Sequence, residues 1–261
     1  MKRTLLERIP SGFPDEITRL CEGVRVYDSS CSPEARVYYI EREEGMYLKV
    51  AECKALAKEA KLYTYFHRLG LTSELLSYQS GERDFMLTRR VRGEDCTHAM
   101  YLEEPKRLVD TLAERLRMLH ETPFDACPVT DRMASYFAVA EENYRSGNYD
   151  KSHFPDSFGY RSEQEAYRAL TVAKTQLTSR VLLHGDYCLP NIMLDRWKFS
   201  GFIDLGGGGV GDRHIDLFWG VWTLGFNLHT DEYRERFLDA YGRDVIDTDA
   251  ISLVGGCEVF G

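Results

Sequence analysis

Apolar and polar positions alternate over two short runs early in the chain, Val37-Tyr38-Tyr39-Ile40 and Met46-Tyr47-Leu48-Lys49-Val50, joined by a charged turn from Glu41 to Gly45. A period of two in β-branched and aromatic residues predicts a pair of strands. From residue 52 to 69 the period becomes helical, and Gly70 closes the helix. Leu56, Glu59, Tyr63 and Phe66 share one face of it, so a carboxylate points among apolar groups. Phe85-Met86-Leu87 predicts another strand, and Arg89 to Gly93 a connector. Leu108, Leu112, Leu116 and Leu119 stand at helical spacing within a helix over 104–120, with Pro123 and Pro128 as breakers after it. Residues 131–180 read as mostly helical around an irregular polar stretch from Ser146 to Gly159. Strands return at 181–183, 191–195 and 199–203, then helices at 213–225 and 231–241. The pattern is α+β in two lobes: a β-rich N-terminal lobe over residues 1–92 and a mainly helical C-terminal lobe over 93–261 holding a small hairpin.

Composition narrows the classes. With 43% hydrophobic residues, the 261-residue chain can bury a sizeable core. No apolar run is long enough to span a bilayer, and no apolar stretch of a secretory signal comes after Met1-Lys2-Arg3, so no membrane partner is expected. Seven scattered cysteines without a Cys-x-x-Cys pair offer neither a disulfide framework nor a zinc site, and fit a reducing cytoplasm. The net charge of −9 is uneven: residues 1–92 sum to +2 and residues 93–261 to −11. An acidic second half disfavours nucleic acid. It suits a cationic small-molecule partner, or is ordinary solubility charge.

One stretch carries chemistry. The apolar run Val181-Leu182-Leu183 delivers His184-Gly185-Asp186 into a loop, Asn191 opens a short strand, and Asp204 comes after the next one. A hairpin sets the start of one strand beside the end of the other, so Asn191 and Asp204 are expected about 5 Å apart between backbones. Their oxygens suit Mg²⁺. Phosphoryl transfer needs such parts: metal held on the phosphates, a positioned nucleophile, and offset charge. Asp186 is the expected catalytic base for an attacking hydroxyl. Either Asp alone reads more simply as a turn residue; the combined spacing argues for function. Buried Glu59 needs a partner, and Lys49 is the expected one, although a surface pair with Lys54 or Lys58 is the plainer alternative. His184 reads as a structural hydrogen-bonder. Gly206 to Gly209 read as a flexible loop, since no strand-to-helix Gly-x-Gly-x-x-Gly pattern surrounds them. Asp212 and Asp216, at i and i+4 near a helix start, read as caps.

On these residues the sequence resembles the aminoglycoside phosphotransferases, relatives of the protein-kinase fold. His184-Gly185-Asp186 with Asn191, Ile203-Asp204-Leu205-Gly206, and Gly211-Asp212-Arg213-His214-Ile215-Asp216-Leu217 carry the likeness. More narrowly, the run from His184 to Asp204, Cys31-Ser32-Pro33, Tyr47-Leu48-Lys49, Leu116 to His120 with Cys127-Pro128, and the ending Glu258-Val259-Phe260 are similar to the aminoglycoside 3′-phosphotransferases.

The resemblance implies a two-lobed, protein-kinase-like fold and an enzyme that phosphorylates an aminoglycoside hydroxyl, with ATP or GTP and Mg²⁺ as cofactors and antibiotic resistance as the outcome. It implies Asp186 as base, Asn191 and Asp204 as metal ligands, Lys49 on the nucleotide phosphates and Glu59 as its helix partner. Tyr47 stacks on the base, Ser32 lies in the loop over the phosphates, and Arg90 and Val91 form the connector whose backbone reads the base. Glu258, Phe260 and Asp156 are the expected acceptor residues, in a monomer or homodimer. The chain differs from the family pattern at Cys257, where an acidic residue is usual, at Gly207, where a basic one is usual, and over the apolar Trp222–Asn227. Gly255-Gly256 weaken the last helix by about a kilocalorie per mole each. The alternatives are a kinase of another small alcohol (choline, a sugar or a macrolide) and a non-catalytic nucleotide-binding module.

Overall fold

The two alternating runs pair as expected. The computed structural model describes residues 3–151 and 158–261, so Asp156 lies outside the described residues. The chain divides into two compact units, one of residues up to 95 with 193–206, the other of residues 96–192 with 207–261.

The first unit contains β1 (Thr4–Leu5), α1 (Asp15–Cys21), β2 (Val26–Asp28), β3 (Ala35–Ile40), β4 (Met46–Glu52), α2 (Ala57–Arg68), β5 (Leu75–Ser80), β6 (Arg83–Arg89) and β7 (Glu94–Asp95). Six strands form an antiparallel sheet in the order β1-β2-β3-β4-β6-β5. Ile17, Ile40, Leu48, Val50 and Leu87 build its core. β4 pairs with β6 in the register Leu48↔Leu87 and Lys49↔Met86. Alternation then sends Leu48 into this core and Lys49 to the opposite face. The helix expected from residue 52 begins at Ala57. Asp84 of β6 explains the late start: its carboxylate accepts from the amides of Lys54 (2.9 Å) and Leu56 (2.8 Å), which holds residues 53–56 as a turn.

The second unit begins with α3 (Ala99–Leu102), α4 (Pro105–Glu121), α5 (Arg132–Ser146) and α6 (Glu163–Gln176). The four leucines that predict α4 are all buried. Asp131 and Ser162 cap α5 and α6, accepting from Ala134 N and Glu165 N. β8 (Val181–Leu183) leads to a 3₁₀ turn, Leu189–Asn191, so Asn191 precedes its strand instead of opening it. β9 (Ile192–Asp195) and β10 (Lys198–Phe202) come next; they fall almost wholly in the first unit, where with β7 they make a three-stranded sheet. A second 3₁₀ turn, Leu205–Gly207, leads to β11 (Gly209–Gly211), which pairs with β8. Gly206 to Gly209 are therefore built into a turn and a strand, not a flexible loop. α7 (His214–Leu228), α8 (Arg234–Tyr241) and α9 (Thr248–Glu258) complete the second unit. The glycines of α9 have a packing reason: a Cβ at Gly256 would stand 2.6 Å from Ala169 Cβ of α6. Close approach of the two helices offsets the low helical propensity of glycine.

Candidate active site

In the first unit the expected Lys49–Glu59 pair forms. Lys49 Nζ lies 2.9 and 3.1 Å from the two carboxylate oxygens of Glu59 and 2.6 Å from Asp204 Oδ1. Glu59 is only 4% exposed, so Lys49 answers the need of a buried charge for a partner. Burial works against the ammonium, but the carboxylates of Glu59 and Asp204 outweigh it and raise the Lys49 pKa. Asp204 sits two residues beyond β10 at φ +60°, in the left-handed region that Asp tolerates, and half of its side chain is open to solvent.

Tyr47 stands on β4 two residues before Lys49, so both side chains leave the same face of the sheet. Its ring centroid lies 5.2 Å from that of Tyr39, and its hydroxyl accepts from Arg3 Nη2 at 2.6 Å. Ser32 is exposed in the turn between β2 and β3. In the connector Val91 is buried, and the Arg90 amide donates to Gly45 O at 3.0 Å.

In the second unit Asp186 leaves the tight turn after β8, half-buried. Asn191 Nδ2 donates to Asp186 Oδ2 (2.7 Å) and to the Asp186 carbonyl (3.1 Å). This fixes the carboxylate and leaves Asn191 Oδ1 as an acceptor. His184 has the structural role expected of it: it is fully buried, and the Asp186 amide donates to its Nδ1 at 3.3 Å.

The residue that grips this turn is Asp216 of α7, which is no cap. Fully buried, it accepts from His184 N (2.8 Å), Gly185 N (2.7 Å) and His120 Nε2 (3.2 Å). Burial lowers the His120 pKa against the pull of Asp216, and His120 Nδ1 meets Tyr241 Oη at 2.7 Å. Asp212 holds the chain entering α7 through His214 N and Ser179 N. Gly185 has φ +84°, and a Cβ there would fall 1.9 Å from Gly207 O, so only glycine fits.

Of the expected acceptor residues, Glu258 at the end of α9 accepts from the Tyr136 hydroxyl at 2.7 Å. Loss of water around the carboxyl pushes its pKa up to about 7, against the Tyr136 and Trp219 hydrogen bonds and the Arg132 charge; the Asp186 carboxylate pushes it up further. Phe260 is fully buried, its ring edge-on to Tyr144 and Tyr149, and its carbonyl accepts from Asn143 Nδ2 at 2.8 Å. Arg132, at the first position of α5, carries no signal in the sequence: its Nε donates to Gly207 O at 2.7 Å.

Residues 33–253 match the model of the phosphotransferase enzyme family (APH). The chain is 50% identical over 250 residues to a probable aminoglycoside 3′-phosphotransferase of Lactococcus lactis subsp. lactis, covering 95% of each chain. It is 29% identical over 221 residues to an aminoglycoside 3′-phosphotransferase of Niallia circulans, covering 82% of this chain and 84% of that one. Among solved structures, an aminoglycoside-3′-phosphotransferase of type VIII shares the fold at a TM-score of 0.77, with 21% identity over 92% of this chain and 94% of that one. A kinase-like lysine–glutamate pair, a fixed Asp–Asn turn and a family match over most of the chain agree: this protein belongs to the phosphotransferase enzyme family of aminoglycoside phosphotransferases.

Proposed function

We propose that the protein transfers the terminal phosphoryl group of ATP or GTP to a hydroxyl of an aminoglycoside, at the 3′ position named for its relatives. The observation that carries the phosphotransferase reading is Lys49, its ammonium fixed by Glu59 and Asp204 at 2.6–3.1 Å. In this reading Lys49 holds the nucleotide phosphates and Glu59 keeps its ammonium in place. Tyr47 stacks on the base, Ser32 covers the phosphates, and Arg90 and Val91 offer backbone groups to the base edge.

Asn191 Oδ1 and the half-open carboxylate of Asp204 are hard oxygen donors, the type Mg²⁺ takes when the phosphates complete its shell. By the chemistry of their donor atoms these are the residues that would hold that ion, which when bound would neutralise phosphate charge. Asp186, with one oxygen held by Asn191, accepts the proton of the acceptor hydroxyl as the hydroxyl oxygen bonds to the terminal phosphorus and the bond from that phosphorus to the bridging oxygen breaks, releasing the nucleoside diphosphate. Glu258 receives an ammonium of the acceptor, Phe260 contributes from the segment just after α9, and Asp156 adds a carboxylate. The reaction places the enzyme in the cytoplasm, where its nucleotide is available, acting as a monomer or homodimer.

A second reading, a less polar alcohol as acceptor, is favoured by the aromatic row of α7. Trp219 and Trp222 lie 5.4 Å apart, and Trp222 stacks on Phe226, which is 63% exposed. Phosphate transfer measured over kanamycin, choline, pentoses and a macrolide, with the phosphorylated position assigned by NMR, separates the two. Phosphorylated kanamycin supports the proposal; turnover of another alcohol alone overturns the aminoglycoside assignment.

A further inference from the structure

Arg132 contacts a neighbour of each of the two acceptor carboxylates proposed above, Gly207 beside the Asp186 turn and Tyr136 beside Glu258, and neither composition nor motif marks it. Its Nε–H donates to Gly207 O at 2.7 Å. That peptide is in direct contact with the base turn: a Cβ on Gly207 would lie 2.9 Å from both Gly185 C and Gly185 O. Arg132 thus holds the peptide packed against the turn that Asp216 holds through Gly185 N.

On its other side the guanidinium lies over the Tyr136 ring, 4.9 Å from its centroid. The hydroxyl of that ring donates to Glu258 Oε1 at 2.7 Å. The guanidinium charge is felt at Glu258, as is that of Asp186. One planar cation therefore links the Gly185–Asp186 turn to Glu258, through the Gly207 peptide on one side and the Tyr136 ring and hydroxyl on the other. One segment is a glycine turn and the other the last residue of α9, so each gains from an external brace.

We infer that Arg132 is a positioning residue that sets the base turn and the acceptor-binding carboxylate in register, clamping Gly207 against Gly185–Asp186 and bracing the tyrosine that orients Glu258. This rests on the roles proposed above for Asp186 and Glu258. Register matters because the accepted hydroxyl and the captured ammonium belong to one rigid acceptor, and misplacement by about 1 Å costs about 100-fold in rate. Only arginine satisfies both contacts in full, since lysine can keep a cation over the Tyr136 ring but has no fixed fork for the carbonyl. The charged and titratable groups facing Glu258 are Arg132 and Tyr136 from α5, Trp219 as donor from α7, Asp186 from the turn and Cys257 on its own helix.

The test is steady-state phosphorylation of kanamycin by wild type, Arg132→Lys, Arg132→Met and Tyr136→Phe, with nucleotide affinity as control. Wild type inactive on kanamycin refutes the proposed function; differences among the variants of an active enzyme concern Arg132 alone. Arg132→Lys keeps the charge but loses the clamp, so kcat falls about 10-fold or more while acceptor KM moves less than about threefold. Arg132→Met lowers kcat as much and also raises acceptor KM about 10-fold. Tyr136→Phe raises KM about 10-fold at near-normal kcat. It reports on the brace even where Arg132→Met folds poorly. Nucleotide affinity stays unchanged in all three. A merely structural arginine would lower melting temperature without this split between kcat and KM. Folded variants with wild-type kcat and KM, or Tyr136→Phe with wild-type KM, overturn the inference.

Discussion

Asp216→Asn tests how firmly the base turn is held. The carboxylate is fully buried and accepts three hydrogen bonds, at 2.7, 2.8 and 3.2 Å. Asparagine keeps one acceptor oxygen and turns an NH₂ toward one of the three donors. A hydrogen bond to a charged group contributes about 1.5–3 kcal/mol, and a buried donor left without a partner costs about 1–3 kcal/mol. One loss of each kind gives about 2.5–6 kcal/mol. At about 2–4 °C per kcal/mol the melting temperature falls by about 10 °C. Below that melting point the Gly185 amide is no longer fixed, and kcat falls about 100-fold as Asp186 drifts. Lys49 and Glu59 lie in the other unit, so nucleotide affinity holds within about twofold. Circular dichroism melts, steady-state kinetics and nucleotide titration read the three quantities. A melt within about 2 °C of wild type with kcat within about threefold would show that the turn holds without Asp216.

Other residues give independent expectations. Gly185→Ala forces a side chain onto Gly207 O at φ +84°, so kcat should drop at least about 100-fold or soluble protein be lost; an active, stable variant contradicts this contact. For Glu258, with its pKa pushed up to about 7, acceptor KM should rise as pH falls below 7 and the carboxyl gains its proton. The same raised pKa means its stability contribution is full below the pKa of an unfolded glutamate, about 4.3, and lost as pH rises toward 7. Glu258→Gln should flatten both trends, in acceptor KM and in urea midpoint against pH. Lys49→Met leaves Glu59 buried without its cation, so melting temperature falls and nucleotide KM rises at least about 10-fold; a nucleotide titration unchanged from wild type would remove Lys49 from the phosphate site.

The sequence reveals what local periodicity encodes. Leu108, Leu112, Leu116 and Leu119 mark α4, and the inward position of Glu59 points to its pairing with Lys49, because helix phase and the cost of a buried charge are readable within a few residues. The outer strand Leu75–Ser80 carries no clean alternation, since each of its first five residues is half-buried, and periodicity does not find it. Asp216 reads wrongly as a cap because an Asp near a helix start looks like one, while its partners His184 and His120 lie 32 and 96 residues away. Arg132 to Gly207 and Tyr136 to Glu258 span 75 and 122 residues, and no local pattern reports contacts of that range. The Gly206–Gly209 run reads as flexible because glycine signals freedom; here Gly207 permits close approach to Gly185.

Asp186 taking the hydroxyl proton is the step on which the proposed chemistry depends. Phosphate transfer to kanamycin by Asp186→Asn, at saturating nucleotide and acceptor, isolates that step. The expected result is a loss in kcat of about 10²–10⁴-fold with nucleotide affinity and melting temperature near those of wild type. Transfer at a rate within about threefold of wild type would rule Asp186 out as the base.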